Sequence, residues 1–122
     1  MMPKLTKNKS ATRYASETQE NRVANKFEGR VIANSGAGHF TKSDVVIDLA
    51  SLSIECKTLQ KPKDSFSIKK EWIEKHYKEA FANRLFNTAI AFNFNFEDEN
   101  DFYVIDDKLM RFLIEKLKEE YK

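Results

Sequence analysis

Apolar residues recur along this chain with two different periods, and the changes of period divide it into elements. Val23, Ala24 and Phe27 lie on one side of a helix expected over residues 17–28, with Ser16 as its cap, Gln19 at the capping-box position and Gly29 placed to end it in the left-handed conformation. Glu20 precedes those three residues by three, four and seven positions, so it shares their inward stripe. A short apolar run at 30–33 reads as a strand leading into the turn chemistry of Asn34-Ser35-Gly36-Ala37-Gly38. Segments 43–49 and 52–57 are rich in Val, Ile and Leu, and only Ala50-Ser51 separates them, which predicts a hairpin. Lys61-Pro62-Lys63-Asp64 breaks the pattern, and Ser67 is placed to cap a helix over about 68–85. In that helix Ile73, Tyr77, Ala80, Phe81 and Leu85 follow helical spacing, while Glu71/Lys75 and Glu74/Lys78 suit an exposed face. Segments 88–94 and 101–105 read as strands joined by an acidic stretch. Asp106 can cap a last helix carrying Leu109, Phe112, Leu113, Leu117 and Tyr121.

The order is therefore αβββαββα. The long helix between the third and fourth strands permits a crossover, so the expected fold is α/β, a mixed sheet of about five strands flanked by helices. A chain of 122 residues fits one domain, placed at 16–122 behind a basic, flexible arm at 1–15. Ten Phe and 41% apolar residues are enough for a packed core. No apolar run has the length of a membrane span, and no apolar block follows the N-terminal lysines, so the expectation is a cytoplasmic protein with no membrane partner. Cys56 is the single cysteine, which excludes an internal disulfide, and one thiol with two scattered histidines makes no zinc set.

The net charge of +2 hides an uneven distribution: Lys4, Lys7, Lys9 and Arg13 have no acid among them, whereas 97–107 carries six acids and no base. The basic end suits a polyanionic partner, and equally a solvated tail. More specific chemistry lies in 52–57, where alternation turns Leu52, Ile54 and Cys56 to one face and Ser53, Glu55 and Lys57 to the other. The hairpin brings Asp44 back beside Glu55 and Lys57. Hydrolysis of a phosphodiester needs an activated water and neutralised charge, which Mg²⁺ on Asp44 and Glu55 can help supply. Lys57 would orient the water and stabilise negative charge, and Glu20 would complete the ligand shell, with Glu17 as its alternative. Ser35, Gly36 and Gly38 permit close approach to a DNA phosphate, and Lys42 and Lys61 flank the site. Glu-x-Lys is common by chance; its setting, at the end of an apolar strand beside an Asp-bearing one, is what gives it weight.

These residues resemble the PD-(D/E)xK nuclease superfamily, and within it the small archaeal and phage Holliday junction resolvases. The likeness spans residues 16–58: Glu20 in the first helix, Ser35-Gly36 in the loop, Lys42-Ser43-Asp44-Val45-Val46 at the Asp-bearing strand, and Ile54-Glu55-Cys56-Lys57-Thr58 at the Glu-x-Lys. Ser43 stands where the family usually has Pro. The resemblance implies a restriction-endonuclease-like core, Mg²⁺ or Mn²⁺ on Glu20, Asp44, Glu55 and the Cys56 backbone carbonyl, and Lys57 as the catalytic lysine. It further implies a homodimer that nicks two strands of a four-way DNA junction. Flap, end or duplex cleavage by the same fold, and a DNA-binding module without turnover, are the alternatives. In the bland reading Glu55 and Lys57 form an ordinary surface ion pair, His39 is a loop residue and His76 a helix-face residue. Trp72, Phe92, Phe94 and Phe96 are expected in the core.

Overall fold

The computed structural model describes residues 4–32 and 44–122, with side chains from residue 11 onward. Ser35, Gly36, Gly38, His39, Lys42 and Ser43 lie outside the described residues. The elements are α1 (Lys4–Phe27), β1 (Arg30–Val31), β2 (Val45–Ile47), a 3₁₀ turn (Asp48–Ala50), β3 (Leu52–Cys56), α2 (Lys70–Ala82), β4 (Asn87–Phe92), β5 (Phe102–Ile105) and α3 (Asp107–Glu120). Apart from the 3₁₀ turn the succession is the expected one. The strands lie side by side in chain order, antiparallel except for β3 and β4, which α2 connects as a parallel pair. A mixed α/β sheet results.

Helix α1 differs most from the sequence reading. It begins at Lys4, so residues 4–15 of the expected arm are helical and Ser16 lies inside the helix with no end to cap. Gln19, expected at a capping box, is fully buried instead. The inward stripe is Ala15, Gln19, Val23 and Ala24, and the last two pack on Val45, Ile54, Ala89 and Ala91 of the sheet. Phe27 lies at the margin, edge-on to Tyr103 at 5.8 Å.

Gly29 does not supply the left-handed residue that ends α1. Glu28 does, at φ 55°, and the Gly29 N–H then closes on the Ala24 carbonyl at 2.8 Å, a Schellman-type stop. Gly29 is needed for space, since a Cβ there would lie 2.9 Å from the Val46 carbonyl oxygen. The β2–β3 hairpin likewise turns through Asp48–Ala50 and a left-handed Ser51 rather than through Ala50-Ser51 alone.

The opposite face of the sheet receives α2. This helix starts at Lys70 without a side-chain cap, so Ser67 is not its cap. His76 and Ala80 are buried, whereas Tyr77 and Phe81 are exposed, so the inward face is turned away from the expected Tyr77–Phe81 line. Trp72, Phe92, Phe94 and Phe96 are only partly buried and lie outside the core; Phe66, Phe92, Phe94 and the exposed Phe102 form an aromatic chain that Trp72 joins through Phe66. Helix α3 is capped as expected, with the Leu109 N–H donating to Asp106 Oδ1 at 2.9 Å. Among the described residues, no helix is long and apolar enough to cross a membrane.

Two neighbouring substitutions test the stop of α1. Gly29→Ala is expected to lower unfolding stability by about 1–3 kcal/mol through overpacking against Val46, while Glu28→Gly raises it by about 1 kcal/mol by relieving the left-handed residue. Urea denaturation of both variants reads the two signs.

Candidate active site at the end of strand β3

Local alternation fixes the first two members. Leu52, Ile54 and Cys56 face the α1 side of the sheet, while Ser53 and Glu55 face α2. Lys57 follows on the Glu55 side, its Nζ 3.1 Å from Glu55 Oε2 and 4.4 Å from the centre of the Trp72 ring. The ammonium is thus held from two directions and remains partly exposed.

Asp44 stands one step beyond the Val45–Ile54 pair, opposite Glu55. Its Oδ2 accepts the Cys56 N–H at 2.7 Å, which ties the carboxylate to the end of β3. Glu20 reaches Asp44 from α1: its carboxyl is raised to about 7, by burial first and then by the charges of Asp44 and Glu17. Asp44 is raised to about 6. Burial is the main cause, the Cys56 N–H and Lys57 oppose it, and Glu55 and Glu79 add to it. Of the two helix acids weighed from the sequence, Glu17 is exposed and Glu20 half-buried beside Asp44. The Cys56 thiol is pushed up by burial and then by Asp44, Glu20, Asp101 and Glu55, which keeps it protonated.

A buried polar knot sets α1 over this end of the sheet. Asp101, with a fully buried carboxylate, receives Arg22 through two hydrogen bonds of 2.9 Å and Asn93 at 2.8 Å. Gln19 Nε2 lies 2.9 Å from the Lys57 carbonyl, 3.3 Å from that of Ala91 and 3.2 Å from Asp101 Oδ1. Thr58 closes the knot by donating to Asn93 Oδ1 at 2.7 Å. The next residue after Gln19 is Glu20, so the helix register that anchors one aims the other.

The sequence reading missed this knot and a second group. Glu55, His76 and Glu79 place one ligand atom each within 4.8 Å of one another, a spacing that could hold a metal ion. Glu20 and Asp44 are not in that group; Asp44 is coupled electrostatically to Glu55, and Glu20 to Asp44. His76 is 1% exposed, with Nε2 3.0 Å from the Ser53 carbonyl and Nδ1 3.4 Å from Glu55 Oε1. The available signal was the spacing of His76 and Glu79, three apart on one helix face and in phase with Ile73 and Ala80. The line through Tyr77 and Phe81 concealed it.

Lys61, the remaining expected phosphate contact, is exposed and lines a groove of about 310 Å³ with Lys63, Gln60, Thr58 and, from α1, Thr12 and Ser16. Comparison of the chain with protein-family models, with curated proteins and with solved structures finds no match. The site is therefore read from its own geometry.

Glu20 and Asp44 both ionise at higher pH in the folded chain than in the unfolded one. Their stabilising contribution is complete below about pH 4 and is withdrawn as pH rises through about 6 to 7. Melting of the metal-free protein is expected to fall across that window, with a flatter slope in Glu20→Gln and Asp44→Asn. Added Mg²⁺ or Mn²⁺ should raise the melting temperature more at about pH 7.5 than at about pH 5.

Proposed function

We propose that this chain is a divalent-metal-dependent DNA endonuclease with a restriction-endonuclease-like core, acting on branched DNA and most concretely on the four-way junction. The observation that carries the reading is the convergence of Asp44, Glu55 and Lys57 at one end of β3, with Glu20 brought to Asp44 by α1. Carboxylates crowded until burial and mutual repulsion raise their pKa favour a bound cation. Mg²⁺ or Mn²⁺ fits this oxygen-rich set, in which Asp44, Glu55, Glu20 and the Cys56 carbonyl would be its ligands. Such an ion supplies an activated water and charge neutralisation at the scissile phosphate.

The chain's own residues do the rest. Lys57, held against Glu55 and the Trp72 face, presents an ammonium that orients the attacking water and stabilises negative charge developing on the phosphate. Asp44 keeps its carboxylate fixed through the Cys56 N–H, so little reorganisation accompanies ligand binding. The groove bearing Lys61 and Lys63 leads from this end of β3 along α1 toward its basic N-terminal half, a path suited to a phosphate backbone.

With labelled junction, flap and linear duplex DNA, cleavage is expected to require Mg²⁺ or Mn²⁺ and to favour the junction. Asp44→Asn and Lys57→Ala should each lower turnover by at least about a hundredfold, while Lys57→Ala leaves junction binding within a few-fold. Cleavage in chelator, or full activity of Asp44→Asn, would refute the mechanism.

The homodimer belongs to the same reading, because two strands of a junction require two sites related by symmetry. Helix α3 supports it. Phe112, Leu113 and Leu117 form an apolar stripe with exposures of 56%, 42% and 54%, beside a groove of about 800 Å³ lined also by the exposed Leu49 and the partly buried Leu52. Sedimentation should show a dimer that Phe112→Glu converts to monomer, with paired junction cuts replaced by single nicks.

A further inference from the structure

We infer that Glu55, His76 and Glu79 form a binding site for a first-row transition-metal dication of the Mn²⁺ to Zn²⁺ series, sharing Glu55 with the oxygen site of Asp44 and Glu20 but differing from it in an imidazole nitrogen and the Glu79 carboxylate. It does not depend on the nuclease reading.

The case rests on the lone pairs of one imidazole. His76 is enclosed between α2 and the sheet, and its Nε2 lies 3.0 Å from the Ser53 carbonyl oxygen. A carbonyl oxygen only accepts, so Nε2 carries a proton. In the neutral ring Nδ1 is then a bare lone pair. It has no hydrogen-bond partner, and it lies 3.4 Å from Glu55 Oε1, itself an acceptor, with a Glu79 carboxylate oxygen inside the same 4.8 Å cluster. Three ligand atoms thus converge on one point, the buried imidazole lone pair among them, and a cation placed there is coordinated by all three.

The surroundings have the form of a ligating histidine. Metal-bound imidazoles donate the other ring N–H to a carbonyl or carboxylate, which fixes tautomer and ring plane; the Ser53 carbonyl does this for His76. Two carboxylates alone would suit Mg²⁺, but an imidazole nitrogen moves the preference toward borderline cations. Glu55 uses its two oxygens separately, with Oε2 against Lys57 and Oε1 against His76. Backbone regularity holds the ligands: Glu55 is fixed by β3, and His76 and Glu79 are one helical turn apart on α2.

Long-range ¹H–¹⁵N spectra of the histidine side chains, recorded on the full metal-free chain without DNA, test the site during titration with Zn²⁺ and separately with Mg²⁺. The metal-free spectrum should show the His76 ring proton on Nε2, facing the Ser53 carbonyl. One equivalent of Zn²⁺ should shift the His76 Nδ1 resonance, and Mg²⁺ at the same concentration should not. Glu79→Gln, nearly isosteric, should weaken Zn²⁺ binding in calorimetry by about tenfold or more, the scale on which even outer-shell partners act. A His76 doubly protonated throughout, a resonance indifferent to Zn²⁺, or an unchanged affinity in Glu79→Gln would overturn the inference. A failed nuclease assay would not bear on it, because the readout involves neither DNA nor turnover.

Discussion

A single buried carboxylate, Asp101, holds the architecture of this site together. A charge so placed is tolerable only with hydrogen-bonded counter-groups; breaking such a pair costs about 3–5 kcal/mol. The counter-groups come from two places: Arg22 and Gln19 on α1, and Asn93 just beyond β4. The knot therefore fixes the rotation of α1 about its axis and its position along the sheet. Apolar packing of Val23 and Ala24 alone would leave both less determined, because hydrophobic contact has no direction.

Much follows from that fixation. Gln19 also bonds the Lys57 carbonyl, so the helix is tied to the residue carrying the ammonium. Glu20 is then carried to Asp44, and Asp44 is itself bonded to the Cys56 N–H. Through three short steps a structural ion pair made by α1 positions Glu20 and Asp44. The raised pKa values of Glu20 and Asp44 follow from bringing acids together where water is partly excluded.

On the other face of the sheet α2 brings a different chemistry to the same strand end. Its inward positions include an imidazole and a carboxylate where an apolar stripe was expected, and Trp72 backs the Lys57 ammonium from the same helix. Glu55 lies between the two sets and contacts Lys57 and His76 through different oxygens. This end of β3 is thus polar on both sides of a sheet whose middle is apolar, an arrangement costly for folding and suited to holding cations.

The sequence alone determined the local regularities: the order of elements, the mixed sheet, the alternation that joins Glu55 to Lys57, the hairpin that returns Asp44, and the Asp106 cap of α3. Each depends on neighbours within a few residues or across one tight turn, where period and turn chemistry are sufficient. Gln19 looked like a capping residue and Ser16 like a cap because local signals cannot tell a helix start from a helix interior whose polar groups find distant partners. Arg22 and Asp101, 79 positions apart, have no local signature at all. Nor does the rotation of α2 that buries His76 and half-buries Glu79 while exposing Tyr77 and Phe81. Only the tertiary structure decided those, because the partners that make buried polar groups tolerable come from different elements, and their meeting depends on how helices dock on the sheet.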